Sequence, residues 1–108
     1  MGEFEQLVLL AILRLGNEAY GMEIREEIEK QTGRDVSYGA VYTTLDRLAT
    51  KAYVAHELGD PTPERGGRAR KYFRVEPSGR EALRDTRRAL AVMWEGVSIG
   101  LDTPADRV

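Results

Sequence analysis

The 108 residues, 42% hydrophobic and 31% charged, suffice for one compact domain with a single core. The chain has no cysteine and one histidine, which excludes disulfides, thiolate metal sites and thiol nucleophiles. The formal net charge of -2 hides a polarised chain: residues 1–33 carry seven acids against three bases, 34–74 five against eight, and the remainder six against five. No stretch is long and apolar enough to span a bilayer, and the amino terminus lacks the basic region of a signal peptide. A cytoplasmic protein with no membrane partner is expected.

From Glu3 to Leu15, Phe4, Leu7, Val8, Ala11, Ile12 and Leu15 recur at helical spacing, and Leu9, Leu10 and Leu13 widen the apolar surface beyond one stripe. Such a helix needs covering on two sides, the second most simply by another copy of the chain. Gly16-Asn17 ends it. Tyr20 to Gln31 reads as a second helix with Ile24 and Ile28 inward and Glu23, Glu26, Glu27 and Glu29 on a solvated face, capped by Gly33. Ser37 is the N-cap of a third helix, in which Val41, Leu45, Leu48 and Ala52 line one face. Tyr53 to Leu58 and Arg70 to Val75 read as two strands of a hairpin, joined by a turn-rich tip from Gly59 to Gly67. His56 falls on the first strand, and without cysteine partners it makes a poor metal ligand. Pro77 opens a last helix whose seam is Leu83, Leu90, Trp94, Val97 and Leu101, with Gly96 and Gly100 weakening its end.

Three helices and a hairpin, mainly α with a small β-hairpin (α+β), is the order of a winged helix-turn-helix, here with an added C-terminal dimerisation helix. Residues 1–76 form the winged unit, 77–101 the added helix and 102–108 a frayed tail. In this fold the third helix enters the major groove of double-stranded DNA, and the wing touches the neighbouring backbone. The basic run Arg65-Gly66-Gly67-Arg68-Ala69-Arg70-Lys71-Tyr72-Phe73-Arg74 sits at the tip and return strand of that wing.

Four pieces in this order carry a family resemblance: Tyr20-Gly21-Met22-Glu23-Ile24, Gly39 to Leu48, Gly66 to Val75, and Pro77-Ser78-Gly79-Arg80-Glu81-Ala82-Leu83. Over nearly its whole length the sequence resembles the PadR family of winged-helix transcriptional regulators. The resemblance implies a dimeric DNA-binding regulator, usually a repressor, released by a small effector. The chain departs from the family at Ala52, where glycine is frequent, at Glu76, where a threonine usually caps the last helix, and at Thr43, where many relatives have proline.

Subtracting the buried face of the third helix leaves Gly39, Ala40, Thr43 and Arg47 outward as DNA-binding candidates. Asp46 faces outward as well, and would accept from a cytosine amino group, lean towards Arg47, or stay solvated. Tyr38 and Tyr42 lie at the edges of the stripe, where burial competes with offering a hydroxyl to a phosphate. In the wing, Arg68, Arg70 and Lys71 are the phosphate or minor-groove candidates, with Gly67 permitting close approach. The dimerisation set is Leu9, Leu10, Leu13, Leu83, Leu90, Trp94, Val97 and Leu101, and a homodimer would read a pseudo-palindromic operator. Trp94 either packs in that interface or lines a cleft for a small aromatic effector. No catalytic triad, metal site or cofactor motif can be assembled. A protein-interaction module and a small-molecule sensor with a cleft at the dimer interface are the competing readings.

Overall fold

The computed structural model describes residues 1–59 and 70–100. α1 (Glu3–Arg14) buries Val8, Leu9, Ala11 and Ile12, while Leu10 stays 44% exposed. Leu9, grouped by sequence with the dimerisation leucines, is fully buried in the chain's own core and offers no surface to a partner. Its neighbours at Val8 and Ile12 set that orientation, because all three lie on the arc facing α2 and α3. After α1, Gly16 and Asn17 are both left-handed (φ 89° and 62°), as suits glycine and asparagine. Asn17 Oδ1 accepts from the Val75 N–H at 2.7 Å and Asn17 Nδ2 donates to the Val75 carbonyl at 3.4 Å, so one side chain completes the backbone pairing that the turn interrupts.

α2 spans Gly21–Thr32, with Tyr20 its N-cap rather than its first turn. Glu23 Oε1 accepts from the Tyr20 N–H at 2.8 Å, satisfying a donor left free at the helix start. Gly33, at φ 72°, closes the helix as expected, its N–H donating to the Glu29 carbonyl. α3 spans Tyr38–Thr50, and the Ser37 hydroxyl caps it by accepting from the Ala40 N–H at 3.1 Å. Ala52 then takes a left-handed φ of 63°, a conformation that favours glycine.

The sheet has a strand that the sequence did not announce. β1 (Ala19–Tyr20), β2 (Val54–Leu58) and β3 (Lys71–Val75) form an antiparallel sheet in the order β1-β3-β2. Two residues are too few to display an alternating pattern, so β1 is defined only by its pairing of Ala19 with Phe73 and Tyr20 with Tyr72. The hairpin register sets Val54 opposite Val75 and His56 opposite Phe73. Phe73, Val75 and Val54 point into the core formed by α1, α2 and α3.

α4 runs from Pro77 to Trp94, shorter than the helix to Leu101 expected from the seam. Gly96 follows in a left-handed conformation (φ 74°), and Val97 lies beyond the helix. Glu76 stands at the N-cap without a side-chain cap bond. Instead the Glu76 N–H donates to the Tyr53 carbonyl at 2.9 Å, and Ser78 Oγ donates to the Ala52 carbonyl at 2.6 Å. Gly79 is the sole buried residue of α4, and a Cβ there would collide with the Tyr53 carbonyl. Of the seam, Leu83 packs against the core, whereas Leu90 and Trp94 lie clear of it. The result is a mainly helical winged-helix fold with a small antiparallel sheet and an extra helix.

Candidate nucleic-acid interface

α3 is split into two faces by its own periodicity. Val41, Thr44, Leu45 and Leu48 are buried, while Gly39, Ala40, Thr43, Asp46, Arg47 and Thr50 are exposed. Thr43, Asp46, Arg47, Thr50 and Lys51 together line a shallow, solvent-open depression of about 380 Å³. Thr50 and Lys51 were not among the sequence candidates, although the steps from Thr43 to Arg47 and Thr50 already place Thr50 on the same face. Thr50 donates its hydroxyl to the Asp46 carbonyl at 3.0 Å. Lys51 Nζ donates to both Glu5 oxygens, at 2.9 and 3.1 Å, and this cation chiefly holds the Glu5 carboxyl below the usual range. Among the described residues Asp46 forms no ion pair with Arg47, so both charges face solvent.

Tyr38 and Tyr42 are 37% and 43% exposed, so neither is buried, although their edge positions favour burial over a DNA contact. Their rings stack at 6.3 Å with 19° between planes, and Tyr42 meets Phe73 edge-on at 6.5 Å. Tyr42 also lies hard against α2: a Cβ at Gly21 would come within 2.6 Å of its Cζ and Oη atoms. A side chain at position 21 would therefore push the Tyr42 ring aside.

On the wing, Lys71 is exposed and Arg70 half-buried. The Arg70 guanidinium lies 4.6 Å from the centre of the Tyr20 ring, and its Nε is buried without a partner among the described residues. Tyr20 in turn packs on Tyr72, with ring centres 4.2 Å apart and hydroxyls in contact. That hydroxyl contact is the main cause pushing the Tyr72 phenol up to about 12. Arg74 is neutralised across the hairpin by Glu57 at 2.9 Å. Gly67 and Arg68, like the rest of 60–69, lie outside the described residues.

A second feature lies on another side of the molecule. Gln6, Leu10 and Leu13 of α1 and Arg80, Leu83, Arg84, Arg87 and Leu90 of α4 line a groove of about 440 Å³. Four of the expected dimerisation residues thus meet in one place, whereas Trp94, 53% exposed, stands outside its lining. Leu101 lies outside the described residues. His56 sits 5.9 Å from the Phe73 ring and packs against it. Among the described residues no group of three or more potential ligands converges on a metal site, and no helix is long and apolar enough to cross a membrane.

The family model described as "Transcriptional regulator PadR-like family" matches residues 9–85, most of the chain, from within α1 through α2, α3 and the sheet to the first half of α4. This chain belongs to the PadR-like family of transcriptional regulators. A relative by sequence is the transcriptional regulator Rv3488 of Mycobacterium tuberculosis, 38% identical over 93 residues that cover 83% of this chain and 82% of that protein. Among solved structures, a PadR family regulator from Eggerthella lenta superposes with a TM-score of 0.70 at 26% identity, over 94% of this chain and 88% of that one. Another from Clostridium difficile gives 0.72 at 19% identity, over 87% and 93%. A PadR-like chain is a transcriptional regulator and not an enzyme.

Proposed function

We propose that this PadR-like chain binds double-stranded DNA sequence-specifically as a homodimer, and represses transcription until a small effector releases it. The observation that carries the reading is the division of α3 into a buried apolar face and an exposed face bearing Thr43 and Arg47. Arg47 has the fork to donate two hydrogen bonds to a guanine edge, and Thr43 offers both a hydroxyl and a methyl to base edges in the major groove. Gly39 and Ala40, lacking bulk, let the start of α3 approach the bases. Tyr38 and Tyr42 hold hydroxyls at the same end for phosphates. Lys71 and Arg70, with Gly67 and Arg68 of the wing, meet the neighbouring backbone and supply affinity rather than sequence information.

The leucines of the α1–α4 groove support pairing with a second copy, which sets two α3 helices on one face of the duplex. Half-sites would lie about one helical turn, roughly 10 base pairs, apart or a multiple of it. Selection of bound duplexes from a random library tests DNA binding, spacing and symmetry together: a pseudo-palindromic consensus is expected. Affinity for that duplex should fall with salt at a log-log slope of about -0.9 per phosphate contact. Absence of duplex binding at low salt would reject this reading in favour of a protein-interaction module.

The α1–α4 groove is also large enough for a small molecule, which favours an effector at the same interface. Trp94, at the open end of α4, would report it. Quenching of its fluorescence by an aromatic compound that also weakens DNA binding is the expected result.

A further inference from the structure

We propose that Arg25 is a positioning residue for sequence recognition: it locks the turn that enters α3 and holds Tyr38 against Tyr42, so that the phosphate contacts of the two tyrosines fix the register at which Thr43 and Arg47 meet the bases. The inference rests on the DNA-binding reading above.

Arg25 lies on α2, one turn before Glu29, with its side chain 26% exposed. Its NH1 group donates to Glu29 Oε2 at 3.1 Å and to the Val36 carbonyl at 3.3 Å. The same Glu29 oxygen accepts from the Val36 N–H at 3.1 Å. Both backbone groups of Val36 are thus held by side chains of α2, as a neighbouring strand would hold them, in a segment that has no strand. Two residues later the chain enters α3 at Tyr38, whose ring centre lies 5.0 Å from the Arg25 guanidinium carbon.

The contacts continue in one direction. Tyr38 stacks on Tyr42, and Tyr42 rests on Gly21 and meets Phe73 of β3 edge-on. A single row of planar groups therefore runs from α2, across the first turn of α3, to the wing. Those are the three elements that must present a fixed geometry to a duplex. Arg25 Nε is buried without a partner among the described residues, an unsatisfied donor that costs stability. Lysine would place no such atom there. What arginine adds is a flat guanidinium that lies over the Tyr38 ring while its one NH1 nitrogen bonds both Glu29 and the Val36 carbonyl; the shorter-reaching, compact ammonium of lysine has no such planar surface to lay on the ring.

The test compares the unsubstituted chain with Arg25→Lys, Tyr38→Ala and the double variant, on the selected duplex and on a scrambled duplex of equal length, each below its own melting temperature. Arg25→Lys keeps the charge, so scrambled-duplex affinity and the salt slope should stay unchanged. Affinity for the selected duplex should fall about tenfold, within the range of coupling between contacting residues. In the double variant the losses should be less than multiplicative, because the arginine acts in large part through that ring. Equal losses on both duplexes, no loss on either, or effects that multiply in the double variant would overturn the positioning role. Tyr38→Ala, at an exposed site, keeps the cycle informative if Arg25→Lys lowers stability. An unsubstituted chain that binds no duplex rejects DNA binding and this role together, whereas full discrimination by Arg25→Lys rejects this role alone.

Discussion

In α3, Val41, Leu45 and Leu48 are at most 1% exposed, whereas in α4 Leu90 and Trp94, at similar helical spacing, are 49% and 53% exposed. The first stripe is enclosed by α1, α2 and the sheet. The second is anchored only near its start, where Gly79 lies against Tyr53 and Leu83 reaches the core. Apolar periodicity thus signals that a face will be covered, and leaves open whether the same chain covers it. α3 has the opposite arrangement to α4 in function as well: its polar face is the one left over.

Substitution at matched positions breaks the comparison most directly. Leu48→Ala should destabilise the fold by about 2–5 kcal/mol at any protein concentration, because it opens a cavity in a closed core. Leu90→Asp should leave the winged unit folded and instead shift the oligomeric state to monomer, read by sedimentation, with cooperative operator binding lost. Equal thermal destabilisation by the two would show that α4 is covered within its own chain.

The next effect separates the two faces proposed to meet DNA. Arg47→Ala should cost about 1–3 kcal/mol on the selected duplex and relax preference at one base position. Arg70→Ala should weaken all duplexes alike and reduce the salt slope by about one. Arg47→Ala acting equally on selected and scrambled DNA would remove its base-reading role.

A smaller effect lies at the junction of α3 with the wing. Ala52 holds a left-handed φ that glycine adopts without a Cβ conflict, so Ala52→Gly should stabilise by about 0.5–1 kcal/mol, visible as a higher melting temperature. The smallest concerns the ion pairs that tie α1 to the rest. Arg34, Lys51 and Arg14 hold the Glu3, Glu5 and Glu27 carboxyls below their ordinary values. For a depressed carboxyl the stabilisation is present above its unfolded-state value, near 4.5, and disappears as pH falls through the lowered folded value. Melting temperature should therefore drop below about pH 4.5, and Glu5→Gln should make that drop shallower.

The three main helices, the N-cap at Ser37, the caps at Gly16-Asn17 and Gly33, and the hairpin were legible because each rests on local rules: spacing, capping chemistry and turn residues. The outward set on α3 was legible for the same reason. Thr50 and Lys51, three and four residues past Arg47, lay on that face by spacing, and Lys51 keeps helical backbone as the C-cap. β1 was hidden because two residues carry no period. Tyr38 and Tyr42 stood at the boundary of the stripe, where periodicity cannot decide between core and solvent.

By itself the sequence determined which segments become helix or strand, which face of each is apolar, and that positive charge collects in the wing. These follow from side-chain chemistry acting over a few residues. Only the tertiary structure decided that Leu9 turns inward while Leu10 turns out, that α4 stops at Trp94, and that Arg25 reaches both Val36 and Tyr38. Those outcomes depend on how whole elements pack, as at Gly79, where the Tyr53 carbonyl approaches too closely for any Cβ.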